Sequence, residues 1–482
     1  MIYRDCTNFK EDKLHEECGV FGVFNAGDRD VRNDTYFALY ALQHRGQESC
    51  GIAVNEDGVI YGKRGNGLVS DVIDRRFLEA LPNGKMAIGH CLYGKRGNFN
   101  HNNAQPLVIE HIKGGMAISN NGGLINAFEV RAELEMQGAI FHTSSNAEVI
   151  AYTITRARLE SSSIEKAVVK AMERLKGSYS FCLMSPRKLI GVRDPLGIRP
   201  LCLGKLGDSY FFASESCAFN SIGAELLRDV EPGEIVIISD DGIRSIKTHC
   251  GKKSSVCIFE YIYFARPDSV VDGASVHMAR RNAGKFLAID HPAQADVVVG
   301  VPDTGIDAAI GYAEQSGIPY GIGFLKNKYI GRTFIENFSG DRELGVKIKL
   351  NPIPNVVNGK RVLLVDDSIV RGTTIAGIVK RLRDSGAKEV HARLSAPPFL
   401  YPCYYGTDIK SSEDLIAYNH SIEEIAEILN VDSIGYLGLD RLSEICDGLK
   451  CGICDACFTG FYPGGKPELE QTPKYRRKLI AD

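Results

Sequence analysis

One thirteen-residue stretch, VLLVDDSIVRGTT (Val362–Thr374), constrains this chain more than any other. An apolar, β-branched run predicts a buried strand, and two adjacent acids, Asp366 and Asp367, stand at its carboxyl end. The loop Ser368–Gly372 (Ser368, Ile369, Val370, Arg371, Gly372) then enters a helix predicted over Thr374–Asp384. Ligands of open α/β sheets sit at such strand ends. The N–H groups of a helix N-terminus hold a phosphate, and Gly372 lets backbone come close to it. Thr373 and Thr374 add hydroxyl donors, and the two acids can reach ribose hydroxyls or a hydrated Mg²⁺ ion. A turn that only caps a helix does not need strand, paired acids, glycine and threonines in that order.

Around this stretch the chain reads as three regions. From Cys18 to about Thr248, β-like runs recur: CGVFGVF (Cys18–Phe24), GIAV (Gly51–Val54), MAIG (Met86–Gly89), GMAIS (Gly115–Ser119), Phe181–Met184, Leu189–Val192 and Ile235–Ile238. Thr35–Gln43 has helical spacing, and Glu231–Glu234 is a turn. From about Ile258 to Asp440 strands and helices alternate: ADVVVGVPD (Ala295–Asp303), a helix over Ile306–Gln315, then RVLLVDD (Arg361–Asp367). That alternation predicts a doubly wound parallel sheet. A short tail from about Ser443 carries cysteines. No internal repeat or low-complexity linker is evident.

Composition sets bounds. The 482 residues suggest about two to four domains. Lys+Arg (57) minus Asp+Glu (60) is −3, which argues against a polyanion-coating protein and a membrane-surface module. No apolar run reaches about 18 residues, so no membrane helix is expected. The N-terminus is charged and lacks the apolar core of a secretory signal, which implies a cytoplasmic protein. There, disulfides are not expected among the 14 cysteines. Most isolated cysteines are expected to be small buried hydrophobes. Cys451, Cys454 and Cys457 differ, forming C-x-x-C-x-x-C. By spacing this could be an iron–sulfur site, a zinc site or a redox pair, although structural zinc wants a second C-x-x-C.

Further segments carry a family resemblance: EECGVFGV, LQHRGQE, RDPLGIRPL, ASESCA, EYIYFARPDS, GVPDTG, KNKYIGRTFI and CFTGFYP. With the strand–loop–helix stretch, they resemble the glutamine phosphoribosylpyrophosphate (PRPP) amidotransferases over nearly the full length. The resemblance implies an α/β chain. Residues 1–17 would be a leader. Residues 18–250 would be an N-terminal nucleophile glutaminase, an αββα sandwich. Residues 251–442 would be a type I phosphoribosyltransferase, and 443–482 a tail with cluster cysteines. It implies 5-phosphoribosylamine synthesis from PRPP and glutamine or ammonia, the first step of purine synthesis. It also implies purine nucleotides as inhibitors and a homotetramer, with no nucleic-acid partner.

The resemblance assigns residues as well. Cys18, freed by leader removal, would be the nucleophile with its own α-amine as base. The Asn121 side chain and Gly122 N–H would form the oxyanion hole. Asp366 through Thr374 would bind PRPP, with Thr304 joining Asp366 and Asp367 around Mg²⁺. Lys326, Tyr329 and Arg332 would belong to a lid over the leaving pyrophosphate. The iron–sulfur subgroup implies Cys257, Cys403, Cys451 and Cys454 as ligands of a [4Fe–4S] cluster, leaving Cys457 out. The cluster would be structural or oxygen-sensing and would staple the tail to the transferase.

The glutamine pocket departs from the family pattern. Leu92, in GHCLYGK, stands where an arginine clamps the glutamine α-carboxylate. Asn146, in SNAE, stands where an aspartate pairs with the α-ammonium. Asn120 replaces a histidine, and Gly123 an asparagine. Losing both charged contacts would weaken glutamine use by roughly a hundredfold to ten-thousandfold, unless Lys95 or Arg96 replaces the guanidinium. Three readings follow: a glutamine-dependent amidotransferase, a transferase using ammonia or another acceptor, and a non-enzymatic PRPP or nucleotide sensor. The lid segment argues against the sensor.

Overall fold

The structure, a computed structural model, describes residues 18–93, 103–327, 350–409 and 411–468. The leader, Lys95, Arg96, Tyr329 and Arg332 lie outside the described residues.

The first half is the expected sandwich. A seven-stranded antiparallel sheet has Cys18–Phe24 near its middle, flanked by Ser209–Ala213 and Met86–Leu92. A six-stranded sheet has Met116–Asn121 beside Ser180–Met184. Period-two alternation sorts the side chains. Val20, Phe24, Met86, Ile88 and Ala117 point between the sheets and share one core. Phe21, Val23 and Ala87 point outward, under the helices Val31–Ala41 and Cys217–Ile222. The outer face of the second sheet packs under Asn146–Leu159 and Ile164–Arg174. The predicted strands are all present, most of them longer than expected, and the first helix spans Val31–Ala41 rather than Thr35–Gln43. It starts early because the Asp30 side chain caps it, accepting from the N–H groups of Arg32 and Asn33.

The second half is a parallel sheet in the order Val297–Gly300, Arg361–Asp366, Glu389–Leu394, Ser433–Tyr436. Helices cover both faces. Val276–Asp290 and Gly305–Ser316 pack on one, Thr373–Asp384 and Ile422–Leu429 on the other. The first two cross closely because glycines line the contact: a Cβ on Gly284 would lie 1.8 Å from the Ala308 carbonyl oxygen. Tyr320 bridges to Val298 on the far side of the first strand. The chain therefore leaves that strand in one direction and returns on its other side, which makes the gap between Val297–Gly300 and Arg361–Asp366 the switch point.

The halves are joined by buried charge. Arg45 donates through Nε to Glu215 and through Nη2 to Glu260 Oε2 at 2.5 Å. Arg199 donates to Glu260 Oε1 at 3.4 Å, to the Tyr405 carbonyl oxygen at 3.2 Å and to Thr407 at 3.3 Å. Burial pushes the Glu215 carboxyl up, but Arg45 and His44 outweigh it and hold the group well below the usual carboxylate range. Glu260 opens a short π-helix, Glu260–Phe264. Among the described residues no helix is long and apolar enough to cross a membrane.

Candidate active sites and a cysteine cavity

At the switch point the expected strand, loop and helix are present. The helix begins at Thr373, one residue earlier than expected, and takes no side-chain cap. Gly372 is left-handed, φ +87°, a conformation that favours glycine, and a Cβ there would also press on the Ile416 side chain at 2.8 Å. Asp366 and Asp367 are both buried. Asp367 Oδ2 accepts from Thr304 Oγ1 at 2.5 Å and its Oδ1 from Ser368 Oγ at 2.6 Å. Thr304 reaches it because the helix Gly305–Ser316 starts against the strand end: a Cβ on Gly305 would lie 2.5 Å from the Val365 carbonyl oxygen. Ile369 and Val370 bury their side chains in the core, so only their backbone groups face a ligand. Lys326 is paired with Asp303, beside Thr304. Adjacent carboxylates with a hydroxyl fit Mg²⁺, which takes one or two carboxylates and completes its shell from phosphates and water.

The second site lies at one end of the sandwich. Cys18 is buried and opens its strand, its side chain between the sheets like those of Val20 and Phe24. Leu92 is directly opposite Cys18 in the register, and by the same alternation shares its face. Asn121 is the last residue of Met116–Asn121 and is fully buried. Gly122 follows with φ +123°, and a Cβ there would stand 2.5 Å from the Ser178 carbonyl oxygen. Asn146 is the first residue of its helix, capped by Ser145, and is half-buried. Glu148 is committed elsewhere: its carboxylate accepts from His142 N, Thr143 N and Thr143 Oγ1 at 2.7–2.9 Å.

The third feature corrects the sequence reading. Cys257, Cys403, Cys454 and Cys457 line one small cavity, with Ile198, Arg199, Phe259 and Tyr405 among its walls. Cys451, expected as a ligand, is not on its lining, and Cys457, expected outside, is. Local structure explains the exchange. Gly452–Cys454 pairs in parallel with Ser255–Cys257, placing Cys454 opposite Cys257. The chain then turns into Ala456–Thr459, where the Cys457 carbonyl oxygen accepts from the N–H groups of Leu400 and Tyr401 at 3.1 Å. Cys451 precedes the strand and sits near Asp272, Arg193 and Cys446, its thiol pushed up to about 11 chiefly by burial. Burial likewise pushes Cys257 up to about 12 and Cys454 and Cys457 well above the usual thiol range, with the neighbouring cysteines adding to it. Four thiolates there would need a cationic centre between them, and four cysteines around a cavity are the donor set of an iron–sulfur cluster. Among the described residues no three His, Cys, Asp or Glu side chains converge as they would on a single metal ion.

This cavity lies between the halves. Ser255 N and Cys257 N donate to the carbonyls of Leu196 and Ile198 at 2.7 and 3.0 Å. Ile125 and Ile198 share a core with Tyr405, Cys454 and Tyr462. A Cβ on Gly123 would stand 3.1 Å from Gly406 N and the Tyr404 carbonyl oxygen. The tail therefore fastens to both halves, not to the second alone. The cysteines Cys50, Cys91, Cys182, Cys202 and Cys217 are buried, as expected of small hydrophobes. Sequence reasoning missed Cys457 and the contribution of Arg199, Tyr405 and Gly123 to this junction. The C-x-x-C-x-x-C spacing and the CFTGFYP segment both included Cys457.

Known proteins match both halves of the chain. A family described as a glutamine amidotransferase domain matches residues 98–221, and one described as a phosphoribosyl transferase domain matches 274–396. The chain is 46% identical to an amidophosphoribosyltransferase of Bacillus subtilis over 93% of its length and 94% of that protein. It is 47% identical to one of Archaeoglobus fulgidus, over 94% and 99%. A solved structure described as glutamine PRPP amidotransferase from B. subtilis, complexed with ADP and GMP, superposes with a TM-score of 0.86 at 45% identity, covering 93% of this chain and 98% of that one.

Proposed function

The chain belongs to the amidophosphoribosyltransferase family, and on that premise we propose how its residues divide the reaction. It is an enzyme with a glutamine amidotransferase part and a phosphoribosyltransferase part. The overall reaction joins nitrogen from glutamine to PRPP, giving 5-phosphoribosylamine, pyrophosphate and glutamate, in purine synthesis. The observation that carries the transferase half is the Asp367 carboxylate held by Thr304 and Ser368 at the switch point. Backbone N–H groups of Ser368 through Thr374 and the Thr373 and Thr374 hydroxyls take the 5-phosphate. Asp366 and Asp367 take the ribose hydroxyls, or with Thr304 hold Mg²⁺. That ion, when bound, neutralises charge on the pyrophosphate. Lys326, with Tyr329 and Arg332, covers the leaving group.

In the amidotransferase half, Cys18 with a free α-amine attacks the amide carbon. The Asn121 side chain and Gly122 N–H stabilise the resulting oxyanion. Cys257, Cys403, Cys454 and Cys457 would hold an iron–sulfur cluster, which would cross-link the tail to both halves rather than take part in the chemistry. The B. subtilis structure was solved with ADP and GMP, which supports purine nucleotides as ligands here, and a homotetramer fits the family.

A second reading is favoured by one observation. Leu92 is paired directly opposite Cys18, at the position where the family resemblance puts a cationic side chain for the α-carboxylate of glutamine. On that reading the transferase runs mainly on ammonia. Pyrophosphate release from PRPP and Mg²⁺, with glutamine against ammonium at high pH and anaerobically handled protein, separates the two. Turnover with both supports the first reading, and turnover with ammonium alone supports the second. No release with either would overturn both.

A further inference from the structure

Between the two sheets, one layer in from Cys18, a buried histidine crosses from the nucleophile's sheet to the strand that ends in the oxyanion turn. His90 lies on Met86–Leu92, opposite Val20 in the register, two residues from the Leu92 that faces Cys18. Its Nε2 is 3.0 Å from the carbonyl oxygen of Asn120. A carbonyl only accepts, so Nε2 carries the proton, and Nδ1 of the neutral ring has no hydrogen-bond partner among the described residues.

The place of this bond gives it meaning. Leu107–Ile109 pairs with Met116–Asn121 only as far as Ile118. Beyond it, the exposed ladder side of residue 120 is taken over by side chains. Asn120 N donates to Gln105 Oε1 at 2.8 Å and Asn120 O accepts from His90. The next two residues are Asn121 and Gly122, and Gly122 is confined on its other side by Ser178. Gln105 and Ser178 hold the turn within its own sheet, whereas His90 refers it to the sheet carrying Cys18.

We infer that His90 is a positioning residue: through the Asn120 carbonyl it sets the distance between the Cys18 sulfur and the oxyanion donors Asn121 and Gly122. The inference rests on the glutaminase reading above. Oxyanion donors act only when placed about 2.7–3.1 Å from the developing charge. A shift of about 1 Å costs on the order of a hundredfold in rate. Burial keeps the ring neutral, with a pKa lowered to about 4, so the donor is present throughout the physiological range without a charge beside the nucleophile.

A control sits at the other end of the same interface. Asn55, equally buried, donates to the Ser185 carbonyl at 2.9 Å and also joins the sheets, but far from Cys18. The experiment compares wild type, His90→Leu, His90→Gln and Asn55→Leu. It reads glutamine-dependent and ammonium-dependent pyrophosphate release, KM for glutamine and Tm. The expected result for His90→Leu is a glutamine-dependent kcat lower by about a hundredfold, with KM and the ammonium-dependent rate within about twofold of wild type. His90→Gln, which keeps a donor and an acceptor, recovers most of the loss. Asn55→Leu lowers Tm and leaves the ratio of the two rates unchanged. Equal loss with both nitrogen sources, an equal shift of the ratio in Asn55→Leu, or no change in His90→Leu would overturn the inference alone. A wild type without glutamine-dependent turnover would overturn it together with the glutaminase reading.

Discussion

The two reaction sites are built in opposite ways. The proposed transferase site is almost one continuous segment, Val362–Thr374, joined by Thr304 from the neighbouring strand end. The proposed glutaminase site is gathered from Cys18, the Met86–Leu92 strand and the Asn121–Gly122 turn, on two different sheets. A contiguous site takes its geometry from one strand–loop–helix unit. A gathered site depends on the spacing of separate sheets, and so on side chains such as His90 that touch no substrate. The first kind should fail as a unit when a ligating group is lost, and the second should fail in graded steps.

The largest expected effect is at Asp367. Asp367→Asn removes a charge that Thr304 and Ser368 orient, and pyrophosphate release should fall by about a thousandfold with either nitrogen source. A loss confined to glutamine would break the comparison. Cys18→Ala should do the reverse: glutamine-dependent release falls by about a thousandfold while ammonium-dependent release stays close to wild type. Leu92→Arg is a gain test. If a clamp is what the cleft lacks, KM for glutamine should drop by about tenfold to a hundredfold. An unchanged KM would mean that the cleft reads glutamine by other groups.

The cysteine cavity gives a sharper contrast within one motif. Cys457→Ser should lose bound iron and lower Tm, whereas Cys451→Ser should keep its iron, because only Cys457 lines the cavity. Equal iron loss in the two variants would restore Cys451 as a ligand.

The smallest effect is a pH slope. The pKa of His90 is lowered to about 4 in the folded chain from an ordinary 6.5. Below pH 6.5 the unfolded chain therefore binds a proton that the folded chain refuses. Stability is lost as pH falls from 6.5 to 4, by about 3 kcal/mol at most from this residue. Asp194 and Asp229, raised to about 6 chiefly by burial, act in the opposite sense over part of that range. The measurement is thus the difference between wild type and His90→Gln, whose acid slope should be the flatter. Parallel slopes would show that His90 does not titrate in this way.

Much of the molecule could be read from its residues alone. Strand positions followed the alternation of apolar side chains, and a phosphate-binding strand–loop–helix was expected from the order strand, acids, glycine, threonines, all adjacent in sequence, while PRPP itself was implied only by the family resemblance. Cys18, Asn121 and Gly122 came from motifs, since nothing in their spacing announces that they meet. Ile369 and Val370 were given to the ligand as part of that loop, but burial turns their side chains to the core.

The cysteine motif marks where sequence stops. Three cysteines at equal spacing are alike on paper. Cys454 and Cys457 were selected by a strand paired beside Ser255–Cys257 and a turn into a helix seated on Leu400 and Tyr401. The same holds for Gly123, which lies against the Tyr404–Gly406 backbone, and for His90, whose carbonyl partner is thirty residues away on the facing sheet. Local order determined the fold class and the transferase loop, because backbone sterics and hydrophobic periodicity act over a few residues. Tertiary packing decided which cysteines share a cavity and what holds the oxyanion turn, because those choices depend on which surfaces meet once both halves have closed on the tail.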